Sequence, residues 1–304
     1  MRTVHSKLIY MKKFTALFCL SLFMSLVGVA QTATLSCHTD AYAAPVAFAM
    51  LARDNKFVSG HAAPLPYVHV SAVGKIITFP TPDGKTGRGY ELKSAKKSNK
   101  YLFVFQEWWG LNDYIKKEAE QYFNDLGEVN VIALDLYDGK VATTSEEAMK
   151  LVQAVKPERA EAIIKGAQGY AGKKAEIATI GWCFGGSWSL QSAIITGKQT
   201  VGSVIFYGMP EKNVERLKML NSDVLGFFAG KDKNITPEVV KEFEANMKAA
   251  GKKVTTKIYD ADHAFANPSN PQYHPKFAAE THRLAANYLR DRFDLKEQFI
   301  LKNK

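Results

Sequence analysis

The sequence predicts an α/β fold, with a mostly parallel central sheet and helices on both faces. Three observations carry that expectation. From about residue 75 onward, short apolar runs of strand length alternate with longer segments of helical period. No long linker interrupts the alternation, which favours a single sheet built by crossover connections. Several runs, such as Tyr101-Leu102-Phe103-Val104-Phe105, are continuously apolar, as strands covered on both faces must be.

Lys75 to Phe79 alternates, Pro82-Asp83-Gly84 is a turn, and Gly89 to Leu92 returns as the second strand of a hairpin. The strand at 101–105 runs into Gln106-Glu107-Trp108-Trp109-Gly110. A helix follows from about Asn112, with Ile115, Ala119, Tyr122, Phe123 and Leu126 on one face. Val129 to Leu134 is a strand ending at Asp135-Leu136-Tyr137-Asp138-Gly139, and helical segments follow near 145–155 and 157–170. Beyond a central strand and helix at 177–190, strands are expected at 201–207, 224–229 and 254–259, with helices at about 237–250 and 275–293. The stretch 31–72, rich in Ala and Pro and without a clear period, reads as a poorly structured lead-in to a domain covering 73–304.

The strand Ile177-Ala178-Thr179-Ile180 feeds into Gly181-Trp182-Cys183-Phe184-Gly185-Gly186. G-x-C-x-G is the spacing of a nucleophile elbow, where the turn from strand to helix is so sharp that only small residues fit two places either side of the nucleophile. The following helix directs its N-terminus at Cys183 and favours thiolate. An inert buried thiol in a tight turn has the same local sequence. A dinucleotide loop does not, because Cys183 stands where G-x-G-x-x-G needs its middle glycine.

In the α/β-hydrolase arrangement nucleophile, acid and histidine follow one another in that order, each at a strand end. Cys183, Asp232 and His263 satisfy the order. His263 would handle the proton of Cys183, and Asp232 would fix the ring's tautomer. Asp260 and Asp262 adjoin His263 on its own loop and are poorly placed to orient it. His38, His61 and His69 precede the sheet, and His274 and His282 belong to the last helix or its start. Glu107 also lies at a strand end, where ligands gather in open α/β sheets; a carboxylate there can equally satisfy local backbone donors.

The formal charge of +10 is no nucleic-acid signature: residues 1–30 hold four basic side chains and no acidic one, and the rest of the excess is scattered. Met11-Lys12-Lys13 followed by an apolar run to Ala30 reads as a secretory signal peptide, residues 1–30, with cleavage after Ala30 or as late as Ala43. The run is short for a membrane span, so no stable membrane insertion is expected once it is removed, and the protein is expected to be periplasmic or secreted. Cys37 is not preceded by a lipobox-like triplet. No Cys/His spacing resembles a zinc site, no cofactor motif is found, and no C-x-x-C accompanies Cys183.

Four motifs, QEWWGLN at 106–112, GWCFGG at 181–186, GKDKNITP at 230–237 and DHAFANP at 262–268, together resemble the dienelactone hydrolase family, whose namesake is carboxymethylenebutenolidase. The resemblance runs from about Gly74 to Phe293. It implies an α/β-hydrolase fold, Cys183 as nucleophile, Asp232 and His263 as its partners, and Glu107 as a buried acid that interacts with the cysteine before substrate binds. It also implies an oxyanion hole from the backbone N–H groups of Phe184 and Trp108. The namesake's substrate-binding arginine, four residues after the histidine, is replaced by Asn267. A second substrate arginine has no clear counterpart, although Arg159 lies in the broad region. With Trp108, Trp109, Tyr137 and Phe265 as further pocket residues, the expected substrate is a small neutral ester or lactone. The alternatives are a thioester or peptide substrate for the same triad, or a ligand-binding member of the fold without catalysis.

Overall fold

The apolar runs and their breakers produce eight strands, and a computed structural model describes residues 42–295. The hairpin pairs β1 (Gly74–Pro80) with β2 (Thr86–Leu92), closed by the Thr81 N–H to Lys85 carbonyl bond of 2.9 Å. Then follow β3 (Lys100–Phe105), β4 (Asn130–Leu134), β5 (Glu176–Trp182), β6 (Thr200–Phe206), β7 (Val224–Ala229) and β8 (Val254–Tyr259). They form one sheet in the order β1-β2-β4-β3-β5-β6-β7-β8. The pairs β1/β2 and β2/β4 are antiparallel and every other neighbouring pair is parallel. β3, β4 and β7 are almost wholly buried, which explains why their sequences do not alternate.

The chain moves from β3 outward to β4 and then crosses to β5 on the other side of β3. This reversal opens a crevice at the carboxyl ends of β3 and β5, where an α/β sheet accepts ligands. The loops leaving these two strands carry Glu107-Trp108 and Cys183.

The expectation for 31–72 is corrected in part: α1 (Ala43–Leu51) and α2 (Asn55–Ser59) lie within it. α1 has no polar residue to mark a surface helix in sequence, and α2 is a single short turn. Instead Ala44, Pro45, Phe48 and Phe57 are buried against the rest of the molecule, so tertiary burial holds this stretch rather than local propensity. Residues 62–71 do lack helix and strand, but His69 ties them down through its N–H to Asp113 (3.1 Å) and its ring to Glu120 (2.6 Å). The remaining helices are α3 (Asp113–Leu126), α4 (Ser145–Ala154), α5 (Pro157–Ala171), α6 (Phe184–Thr196), α7 (Val214–Leu217), α8 (Pro237–Ala249) and α9 (Pro275–Arg292). Asn112 caps α3 by accepting the Ile115 N–H, and Thr144 caps α4 through Glu147. No helix among the described residues is long and apolar enough to cross a membrane. The segment read as a signal peptide, with Cys37, lies outside the described residues.

Candidate active site

β5 delivers Cys183 to a backbone conformation of φ 58 and ψ −121, and α6 begins at the next residue. Few L-residues adopt such values without support, and the support comes from close packing. A Cβ on Gly185 would lie 2.3 Å from the carbonyl oxygens of Phe105 and Gln106, and one on Gly181 only 2.1 Å from the Gly185 oxygen. The glycines let β3, β5 and α6 approach closely enough to force the turn. Buried hydroxyls tie the elbow helix down: Ser189 donates to the Val204 carbonyl (2.9 Å), and Thr179 donates to the Ser189 carbonyl (3.0 Å).

The three side chains singled out by chain order meet. His263 Nε2 lies 3.4 Å from Cys183 Sγ, and its Nδ1 is 2.5 Å from Asp232 Oδ2. Asp232 is held in turn by the N–H groups of Asn234 (2.9 Å) and Ile235 (3.0 Å) on its other oxygen. Burial alone would raise the Asp232 pKa, but the imidazolium of His263 and these donors hold it down at about 2. Burial opposes charge on His263, yet the Asp232 carboxylate prevails and raises its pKa well above the ordinary value. Cys183 is 1% exposed, and burial raises its pKa while the His263 charge pulls against that rise. Asp260, the competing acid, is exposed and paired with Lys231 (3.1 Å).

The Phe184 amide is the first of α6, directly after Cys183, and its interaction with the sulfur pulls the thiol pKa down against burial. In the β3 loop Gly110 N–H bonds the Glu107 carbonyl at 3.3 Å, and the Trp108 amide has no backbone partner in that turn. Glu107 is buried beside these groups. Burial pushes its pKa up to about 7, against the opposing pull of His263 and of the Asn267 amide. Its Oε2 accepts from Asn267 Nδ2; the Tyr207 hydroxyl faces it without reaching hydrogen-bond geometry. Tyr207, at φ 37, is a further residue of the site in a left-handed conformation.

The residues read as pocket lining also make structural contacts. Asn267 is buried, bonds Glu107, and accepts from the N–H and hydroxyl of Ser269, each at 2.8 Å, so it braces the carboxylate. Phe265 is packed in the core between Tyr207 and Tyr259, at 5.4 Å from each ring. Tyr137 donates its hydroxyl to the Trp108 carbonyl (3.0 Å) and buries its ring near Phe184, while Trp109 packs on the edge of Trp108. Large side chains here buttress the site because the sheet ends need filling as much as the substrate does. Arg159 is fully engaged by Asp83, Asp138, Thr81 and the Thr86 carbonyl.

The aromatic side chains packed against the site come from the stretch read as lead-in. Phe48 lies 6.1 Å from the Phe184 ring and 6.5 Å from His263; Phe57 lies 6.0 Å from His263 and 5.6 Å from Trp108. His61 sits 5.2 Å from His263, ring to ring. It precedes the sheet, and no spacing rule connects it with a cysteine so distant in sequence. Beside α1 a cleft of about 210 Å³ is lined by Pro45, Ala49, Met50, Phe184 and Trp188, with Arg53 and Gln153 among its walls.

The sheet, its crossover and the elbow define an α/β-hydrolase. The chain belongs to the dienelactone hydrolase family, whose family model matches residues 88–293. It is similar to a carboxymethylenebutenolidase-like protein of Aquifex aeolicus (strain VF5), 26% identical over 232 residues that cover 72% of this chain and 98% of the relative. Protein usf of Aquifex pyrophilus is 27% identical over 233 residues, covering 72% and 99% of the two chains. Among solved structures, a dienelactone hydrolase-like promiscuous phosphotriesterase from metagenomic libraries superposes with a TM-score of 0.62 at 21% identity, covering 72% of this chain and 99% of its own. A dienelactone hydrolase-like protein of Klebsiella pneumoniae gives 0.61 at 21% identity, covering 71% and 98%. At that identity the likeness is one of fold.

Proposed function

We propose that this protein is an exported cysteine hydrolase that opens a small neutral ester or lactone through an acyl-thiol on Cys183. The observation that carries the reading is the unbroken chain of contacts from Cys183 through His263 to Asp232. His263 Nε2 takes the thiol proton as sulfur attacks the carbonyl carbon, and Asp232 stabilises the imidazolium that forms. Negative charge on the carbonyl oxygen is met by the N–H groups of Phe184 and Trp108. Collapse expels the alcohol, which receives its proton from His263. Water then gives a proton to His263 as it attacks the acyl carbon, and the acid leaves with the thiol restored.

Glu107 keeps the resting site from becoming a free thiolate. Its negative charge beside the sulfur disfavours a second anion there, and its own raised pKa lets it share protons near neutrality. A neutral substrate is favoured because Asn267 carries no charge and the Arg159 guanidinium is engaged by two aspartates. The signal-like segment ending at Ala30 supports export, which N-terminal sequencing of protein recovered outside the cytoplasm would test.

The reaction is tested by turnover of activated esters and enol lactones by wild type and Cys183→Ala. Loss of turnover in the variant is expected, and equal rates in the two would remove Cys183 from the mechanism.

A further inference from the structure

We propose that His61 joins Cys183 and His263 in a binding site for a zinc-class divalent cation. One ring nitrogen of His61, one of His263 and the Cys183 sulfur lie within 4.8 Å of one another. Zn–S bonds of about 2.3 Å and Zn–N bonds of about 2.0–2.1 Å at tetrahedral angles put sulfur and nitrogen ligands roughly 3.6 Å apart. The Cys183–His263 separation of 3.4 Å already matches. His61 needs to close by about 1 Å, within reach of a small ring rotation.

Both imidazoles are prepared in the way metal ligands are. A ligating histidine donates its second nitrogen to a carboxylate or carbonyl, which fixes the tautomer and aims the remaining lone pair. His263 does so through Nδ1 to Asp232 (2.5 Å), and His61 through Nδ1 to the Phe57 carbonyl (2.7 Å). The His61 ring is 5% exposed, and its Nε2 is buried without a hydrogen-bond partner. A buried lone pair with nothing to accept is costly unless something electrophilic fills the place. The hydrolytic steps described above give His61 no role, so its orientation is not accounted for by the triad.

The surroundings suit a soft cation. One sulfur and two imidazole nitrogens select Zn²⁺ or Co²⁺ over Mg²⁺ or Ca²⁺. Phe48, Phe57 and Trp108 form an apolar shell around the ring nitrogens, and the carboxylates of Asp232 and Glu107 offset added positive charge. On binding, sulfur and the two nitrogens each supply a lone pair, the one proton held by the Cys183–His263 pair passes to solvent, and nothing is oxidised or reduced. The ion occupies both the nucleophile and the base, so the loaded protein has no free thiol to attack an ester.

The test is spectroscopic and independent of any ester. Protein stripped with a chelator is titrated with Co²⁺, then with Zn²⁺ as competitor. Expected are one ion per chain, a thiolate-to-cobalt charge-transfer band with the intense visible absorption of tetrahedral cobalt, and displacement by Zn²⁺. His61→Ala should weaken binding by at least about tenfold, and Cys183→Ser, which leaves the His61 surroundings intact, should abolish the charge-transfer band. X-ray absorption of the zinc-loaded wild type should count one sulfur and two imidazole ligands, a reading that requires no variant. Absence of the band at saturating Co²⁺, equal affinity in folded His61→Ala, or a single imidazole around zinc would each overturn the proposal. Because no step of the assay is hydrolytic, a missing metal site and a missing hydrolase are told apart.

Discussion

Asn267 donates its side-chain amide to the buried carboxylate of Glu107, joining the loop after β8 to the loop after β3. The position where the family's namesake has an arginine for its substrate is here turned inward to hold an acid. Burial raises the pKa of Glu107 from 4.5 to about 7. A carboxyl whose folded pKa lies above its unfolded value adds stability that is complete below the unfolded pKa and is lost as pH rises through the folded one. The stability difference between wild type and Glu107→Gln should therefore shift by about 3 kcal/mol in favour of the glutamine between about pH 4 and about pH 8. Urea denaturation of both proteins across that window measures it; parallel stability curves would mean that Glu107 titrates normally.

Asp232 uses one oxygen for the backbone N–H groups of Asn234 and Ile235 and the other for His263. Asparagine can keep the first function through its carbonyl. Its amide would then face His263 Nδ1 and select the opposite tautomer. Asp232→Asn is expected to lower kcat by about 10²–10⁴-fold with little change in melting temperature. Steady-state kinetics alongside a thermal melt decide it, and an unimpaired kcat would remove Asp232 from the triad.

Gly185 has no room for a methyl group, since backbone oxygens of Phe105 and Gln106 already occupy the space. Gly185→Ala must push α6 away from β3, at a cost of roughly 2–4 kcal/mol in stability, and carries Cys183 out of line with His263. Denaturant midpoints give the first effect and ester turnover the second. A stable, fully active variant would show that the elbow is not held by this contact.

Phe48 packs beside the site, its ring 6.1 Å from that of Phe184 and 6.5 Å from that of His263. Replacing it by alanine should speed alkylation of Cys183 by iodoacetamide at least about tenfold, at a stability cost of about 3–5 kcal/mol. Mass spectrometry of the labelled protein under native conditions follows the rate. No change in rate would place the route of access elsewhere.

The strand bounds were the most legible part of the molecule: β7, buried throughout, leaves an unbroken apolar run at 224–229, and β8, mostly exposed, still begins and ends at 254–259 where the sequence expects it. The convergence of Cys183, Asp232 and His263 was legible for a related reason, since strand ends share an edge of the sheet whatever the loops do. Side-chain direction was not. Phe265 and Tyr137 have the composition of a pocket and the placement of buttresses, a difference decided by neighbours far away in sequence. The helices at 43–59 were missed because their apolar residues follow no surface-helix period; they are held by the groups they cover. His61 belongs to the same blind spot, since its neighbours Trp108 and His263 lie in the loops after β3 and β8.

Tyr42, the first described residue, fastens the start of α1: its hydroxyl bonds Glu161, its ring lies 5.9 Å from that of Trp188, and the Arg216 guanidinium sits 5.3 Å above it. For the exported protein proposed above, a cut after Ala30 would keep this fastening in the mature chain and a cut after Ala43 would remove it, so the length of the mature N-terminus would decide whether α1 stays tethered to α5 and α6.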